Sequence, residues 1–226
     1  MKRCLVVFAK EPGKSRVKTR LSKQLSKTQR VELYKAFLKD TVDLAESVRC
    51  EKKILAYDSG SGSPAYLKRI ARPFKFYKQR GRDLGERMDN AFKYTSENKV
   101  DRTVIIGSDS PNLPVRQIEE AFRRLYRNDV VVGPSFDGGY YLIGMKEPCP
   151  GLFKGIKWGS DRVLKDTLKK SRRLGRKACV LKKWYDIDRP EDISKLKYDM
   201  KRTKNNNCMY TRNYIYKYLN NREEIG

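Results

Sequence analysis

Residues 103–114 read TVIIGSDSPNLP, residues 129–145 DVVVGPSFDGGYYLIGM, and residues 184–193 WYDIDRPEDI. Val104-Ile105-Ile106 and Val130-Val131-Val132 are short β-branched runs, each followed closely by a glycine, and they read as buried strands. In an open α/β sheet, ligands bind outside the carboxyl ends of the strands. Asp109 and Asp137 therefore fall beside a predicted crevice, which suggests a metal or phosphate site.

Working outward, CLVVFA (4–9) is a first strand and 10–24 a basic loop with Pro and Gly. Residues 28–48 form an amphipathic helix with Ser26 as its N-cap and Tyr34, Phe37, Leu38, Thr41, Leu44, Ala45 and Val48 on one face. Strands follow at 53–58 and 74–79, around a turn at 59–64 and a helix near 64–71. Helix 83–97 leads to the strand at 103–107, and helix 115–127 to the strand at 129–133. A tight Asp-Gly-Gly turn begins a further strand over 136–145. Residues 160–175 read as a helix with Ser160 as N-cap and Gly175 past its end. A late strand at 179–187 precedes a helix starting at Pro190, and 205–221 reads as a final basic helix. This alternation argues for a mostly parallel α/β sheet.

Composition narrows the chemistry. The 226 residues contain no histidine. That excludes Ser-His-Asp and Cys-His nucleophilic machinery, HExxH sites and histidine bases. The five scattered cysteines form no CxxC pair, so neither a disulfide framework nor a zinc site is expected. A metal would need oxygen ligands, which favours Mg²⁺ or Mn²⁺. No apolar stretch reaches membrane-helix length and no signal segment is evident, so the expectation is a cytoplasmic protein. The formal net charge is +25. Such an excess attracts polyanions, but no nucleic-acid motif accompanies it, so no specific nucleic-acid partner is expected.

The chemistry-bearing residues each have a plain alternative. Asp109 suits an Asx turn as well as a cation. Asp188 suits a helix N-cap as well as a metal. Asp137-Gly138-Gly139 reads as a hairpin turn or as an approach point for substrate. Lys10, Lys14, Arg16, Lys18 and Arg20 could neutralise phosphates or form a solvated loop; neither GxxxxGK[ST] nor GxGxxG is present. Gln79 could pair with a base edge, and Asp83 with ribose hydroxyls or with the start of the next helix.

Taken together, FAKEPGKSRVKTRL (8–21), QRGRDLGERM (79–88), IGSDSPNLP (106–114), GPSFDGGYYLIGM (133–145), LFKGIKWGSDRVLKDTL (152–168) and WYDIDRPEDI (184–193) resemble a known family. It is the glycosyltransferase-like family of the GT-A nucleotide-diphospho-sugar transferase superfamily labelled radical-SAM/selenodomain-associated or arsenosugar-biosynthesis-type. The resemblance runs from about residue 3 to 220. It departs at Lys14-Ser15, where the family has a second Pro-Gly, at Ser110, where it has Cys, and at Arg189, where it has Thr.

The resemblance implies a GT-A fold over 1–226 as a single domain, with a basic C-terminal helix from about 205. It implies a transferase using a nucleotide-sugar and an unidentified acceptor, or a nucleotidyltransferase using an NTP; a non-catalytic polyanion binder is the third reading. Mg²⁺ or Mn²⁺ would be held by Asp109 and Asp188. Ala9, Lys10, Lys18, Arg20, Gln79, Gly81, Asp83 and Ser108 would contact the nucleotide. Asp137 would act as base or sugar contact, and Gly138, Gly139, Tyr140 and Trp158 would face the sugar or acceptor.

Overall fold

The computed structural model describes residues 1–14, 16–60, 62–202 and 208–219, with the backbone alone for Arg202. Seven strands form one sheet: β1 (Arg3–Lys10), β2 (Lys52–Asp58), β3 (Lys75–Lys78), β4 (Arg102–Ile106), β5 (Val130–Pro134), β6 (Tyr140–Met145) and β7 (Ala178–Val180). Their order is β3-β2-β1-β4-β6-β5-β7. All neighbours are parallel except that β6 runs antiparallel to both β4 and β5. The helices are α1 (Lys27–Ser47), α2 (Ala65–Ile70), α3 (Leu84–Glu97), α4 (Val115–Arg124), α5 (Val163–Arg173), α6 (Pro190–Arg202) and α7 (Met209–Tyr218).

Both faces of the sheet are covered, and strand alternation shows it. Leu5, Val7 and Ala9 enter one apolar cluster with α1 and α4, while Cys4 and Val6 enter a second with α3. Successive residues point to opposite faces, so a strand buried on both sides reads as a continuous apolar run. Val104-Ile105-Ile106 splits between the clusters in the same way.

Helix α1 starts where the sequence says it should. Ser26 Oγ accepts from Gln29 N, and the Gln29 side chain accepts from Ser26 N, a reciprocal capping box. More of α1 is buried than its apolar face requires, because α7 packs on it. Asp40 is the reason: it is buried, and its carboxylate accepts from Tyr210 N (3.0 Å), Thr211 N (2.8 Å) and Thr211 Oγ1 (2.5 Å). Here a side chain of one helix caps the N-terminus of another.

Burial raises the Asp40 carboxyl to about 6, against the three donors. A carboxyl with a raised folded-state value contributes stability that is complete below its ordinary value near 3.8 and is lost as pH climbs through 6. The unfolding free energy of the native chain minus that of Asp40→Asn, from melting curves, should therefore fall between about pH 4 and pH 6 and level off above, a change of at most about 3 kcal/mol. A flat difference would show that the three donors cancel the burial.

Three expectations are corrected. The 160–175 helix begins only at Val163, and Ser160 does not cap it: its hydroxyl donates to Lys157 O, and Leu164 N is taken by Gly138 O at 2.9 Å. The late strand is confined to Ala178–Val180, because only these residues continue the ladder with β5; beyond a single bridge at Trp184, the chain turns across the sheet end. The last helix spans Met209–Tyr218, and residues 205–207, 220 and 221 of that expectation lie outside the described residues. Among the described residues no helix is long and apolar enough to cross a membrane.

Candidate functional site

The carboxyl ends of β1 and β4 open into a cleft of about 650 Å³. Its floor and walls include the end of β1, residues 16–20, Tyr34, Gln79, the first turns of α3, residues 105–109, the start of β6, and Asp186 and Asp188. Because β6 runs antiparallel to β4, its first residues arrive beside the last residues of β4 (Ile106 opposite Leu142).

Lys18 occupies the centre. Val17 and Leu21 are buried on either side of it and pin the loop to the core, and Lys18 itself takes a left-handed backbone (φ 49°, ψ 42°) before a 3-10 turn at Thr19–Leu21. A non-glycine residue in that region costs about 1–2 kcal/mol, and such strain concentrates at functional positions. The Lys18 side chain is 1% exposed. Its Nζ lies 2.5 Å from Asp109 Oδ1, 3.2 Å from Asp188 Oδ1 and 2.7 Å from Ile187 O, above the Phe37 ring at 4.9 Å. Burial opposes its charge, but the two carboxylates more than offset this and hold the ammonium above its ordinary value.

Asp109 and Asp188 meet because their segments are stitched together. Ile187 N donates to Asp109 O (2.8 Å), Ser110 Oγ to Asp186 Oδ1 (2.5 Å), and Asn112 Nδ2 to Tyr185 OH (2.6 Å). Asp192, on the first turn of α6, accepts from Asp188 N and Arg189 N, which fixes the backbone and leaves the Asp188 carboxylate for Lys18 and Arg20. Asp192 thus reaches back from the helix to the chain before it, and the Asp188 carboxylate pairs with cations.

Other expected residues fall into two groups. Ala9, Lys10, Lys18, Arg20, Gln79, Asp83, Ser108, Asp109, Tyr140 and Asp188 line the cleft. Beside these residues, Tyr34 OH ties the wall together by accepting from Lys10 N and pairing with Ser108 Oγ, both at 2.9 Å. Gln79 Nε2 is committed to Ala56 O (2.8 Å) and Ala9 O (3.4 Å), so a ligand contact falls to its amide oxygen. Asp83 caps α3 by accepting from Glu86 N at 2.8 Å.

The second group is not part of the lining. Gly81 is a packing residue: at φ 139° a Cβ there would lie 2.7 Å from Arg87 N. Asp137 is turn chemistry, its carboxylate accepting from Gly139 N (3.0 Å) and from Ser135 Oγ. Gly138 abuts the Asp161 backbone, and Gly139 closes the hairpin through Ser135 N→Gly139 O. Trp158 packs against Gly85 and Phe153, with Tyr140 edge-on at 6.4 Å. Of the altered loop, Lys14 lies near Gly62 away from the cleft, and Ser15 lies outside the described residues.

Sequence reasoning missed Asp186. Its carboxyl is raised to about 7, first by burial and then by Asp109. The Asp186-Ile187-Asp188 spacing held a signal, since residues two apart in an extended segment share a side. Tyr34 was read only as a core position, and Arg87, which pairs with Asp58 at 2.9 Å, gave no local sign.

Residues 41–160 match the model of a family described as an uncharacterized protein conserved in bacteria, DUF2064. The chain belongs to the DUF2064 family. The matched span includes Asp109 but neither the 9–20 loop nor Asp188. A crystal structure from Desulfovibrio desulfuricans G20, of a protein provisionally described as a nucleotide-diphospho-sugar transferase, is 31% identical over 96% of this chain and 97% of its own, with TM-score 0.86. At lower identity the fold alone is shared. A 4-diphosphocytidyl-2C-methyl-D-erythritol synthase from Anaerococcus prevotii DSM 20548 is 12% identical over 88% of this chain and 96% of its own, TM-score 0.58. The CTP complex of CMP:2-keto-3-deoxy-manno-octonic acid synthetase is 13% identical over 89% and 99%, TM-score 0.52. The search of curated proteins gives no match. The DUF2064 chain thus has the expected GT-A nucleotide-diphospho-sugar transferase fold.

Proposed function

We propose that this DUF2064 protein is a transferase that takes a sugar from a nucleotide-diphospho-sugar, with Mg²⁺ or Mn²⁺ as cofactor. The observation that carries the reading is the convergence of Lys18, Asp109 and Asp188 in a cleft at the carboxyl ends of β1 and β4. The description of the 31% identical relative supports the same class. The sequence motifs favour the radical-SAM-associated group within it.

The donor set fits a hard cation, since Asp109 and Asp188, which line the cleft, offer carboxylate oxygens. Among the described residues no three acidic or cysteine side chains form a complete metal cage. That suits Mg²⁺, which is commonly held by one or two carboxylates together with substrate phosphates. Asp109 and Asp188 would hold the ion, which would neutralise the leaving diphosphate. The chain's own groups do the rest. Arg16, Lys18 and Arg20 place positive charge beside the phosphates. Gln79 and Asp83 border the nucleoside side of the cleft, and Tyr140 borders the acceptor side. Asp137 is not assigned the base role, because its carboxylate is held in the hairpin.

Nucleotidyl transfer from an NTP is the second reading. The concentration of cations over 10–20 suits a triphosphate equally well, and the fold hosts both chemistries. Release of free nucleoside diphosphate from a nucleotide-sugar supports the first reading; release of pyrophosphate from an NTP supports the second. Binding is tested by melting the protein with nucleotides and nucleotide-sugars, each with and without Mn²⁺. A ligand at about 100 times its dissociation constant should add about 2.7 kcal/mol of stability, with the larger shift when Mn²⁺ is present. No shift from any nucleotide under any metal condition would remove the transferase reading and leave a polyanion-binding role.

A further inference from the structure

The centre of the acidic pair is already filled. An ammonium has three N–H donors and no acceptor. All three of Lys18's are matched: Asp109 Oδ1 at 2.5 Å, Ile187 O at 2.7 Å and Asp188 Oδ1 at 3.2 Å. The two carboxylate oxygens are no farther apart than the sum of their contacts with Nζ. A divalent cation bridging the pair would draw on the same two carboxylates, at about 2.0–2.1 Å from the ligating oxygens. It would then stand within a few ångströms of a buried positive charge, where like charges repel strongly. The ammonium and the divalent ion therefore compete for one place.

Arg20 reaches Asp188 only at 3.5 Å and is half exposed. Lys18 is instead fixed by its neighbours, with Val17 and Leu21 buried beside it and Phe37 beneath it. Lys18 is nevertheless one of the residues lining the cleft, so an anion bound there would compete with the two carboxylates for its ammonium.

We infer that Lys18 is the resident counter-ion of the Asp109–Asp188 pair. In the free protein it excludes divalent cations, and it gives up its place only when an anionic ligand draws its ammonium away. The inference rests on the reading of Asp109 and Asp188 as the ion's carboxylates. It adds an order of events: the anion comes before or with the metal. It also explains how two facing carboxylates stay together when no metal is bound, since Lys18 supplies the positive charge that offsets their repulsion.

The test uses Mn²⁺ alone, followed by electron paramagnetic resonance of the unbound ion, so that no nucleotide enters the result. Lys18→Met keeps an unbranched side chain and removes the charge. It should bind Mn²⁺ at least about tenfold more tightly than the native protein, equal to about 1.4 kcal/mol. Adding Asp109→Asn to Lys18→Met should abolish the gain. Equal Mn²⁺ affinity in native protein and Lys18→Met would overturn the counter-ion inference and leave the transferase reading intact. No Mn²⁺ binding by a folded Lys18→Met would overturn the inference; the transferase reading, in which substrate phosphates complete the ion's shell, stands or falls on the nucleotide-dependent melting shift.

Should Lys18→Met fail to fold, the native protein carries the test. Nζ of Lys18, buried and triply hydrogen-bonded, should give a slowly exchanging ammonium signal in ¹⁵N-lysine NMR spectra. That signal should survive added Mg²⁺. Its loss on adding Mg²⁺ alone would show the ion taking the ammonium's place and overturn the inference.

Discussion

Asp109→Asn should lower turnover by about 10²–10³-fold, the usual effect of removing one charge-stabilising group from a reacting site. Its effect on folding should be much smaller. Asp109 is 47% exposed, so solvent screens its side of the pairing with Lys18. The ammonium also keeps Asp188 Oδ1 and Ile187 O as partners. The check is a paired measurement of turnover and melting temperature. A variant that melts normally and turns over at the native rate would place Asp109 outside the chemistry. One that loses activity and structure together would make the carboxylate a structural partner of Lys18 and nothing more.

Gly138→Ala should produce the largest loss of stability. Gly138 has φ 87°, and a Cβ there would overlap the carbonyl oxygen of Asp161 and lie 2.6 Å from its Cα. Neither is the end of a flexible side chain, so the backbone itself must shift. The same residue caps α5 through Leu164 N→Gly138 O at 2.9 Å, so the shift also pulls on the helix. Together, the left-handed backbone and the overlap should cost about 3 kcal/mol or more. Gly151→Ala is the control. It has nearly the same φ, 88°, and nothing within 4 Å of its Cβ, so it should lose only the conformational part, about 1–2 kcal/mol. Equal melting temperatures for the two variants would show that the Asp161 contact is not restrictive.

The same glycine shows where local reading stops. Asp137-Gly138-Gly139 carries a strong turn signal, and a turn is what the hairpin contains. Whether it also faces the cleft depends on residues 160–164, which no turn rule connects to it. Capping shows a similar split. Ser26 and Gln29 lie three apart, so their capping box is legible in four residues. Asp40 caps α7 from 170 positions away, and its sequence surroundings, with Lys39 beside it and Asp43 one turn on, show only one of several charged residues in an amphipathic helix.

By itself, the sequence determined the alternation of strands and helices, the burial of the β-branched runs on both faces, the start of α1 at Ser26 and of α6 at Pro190, and the absence of any histidine chemistry. Those properties depend on neighbours within one or two turns of chain, or on composition. Only the tertiary structure decided which charges meet. Lys18 was expected, with Lys10 and Arg20, to contact the nucleotide, but nothing local marked it as a buried cation; it is buried because Val17 and Leu21 anchor the loop and Asp109 and Asp188 arrive from two other segments. Asp137, Gly138 and Trp158 looked equally suited to the site, and the fold assigns them to a hairpin, a helix cap and an aromatic cluster. Electrostatic partners are chosen by distance in space. Over 169 positions between Lys18 and Ile187, only the packed sheet determines that distance.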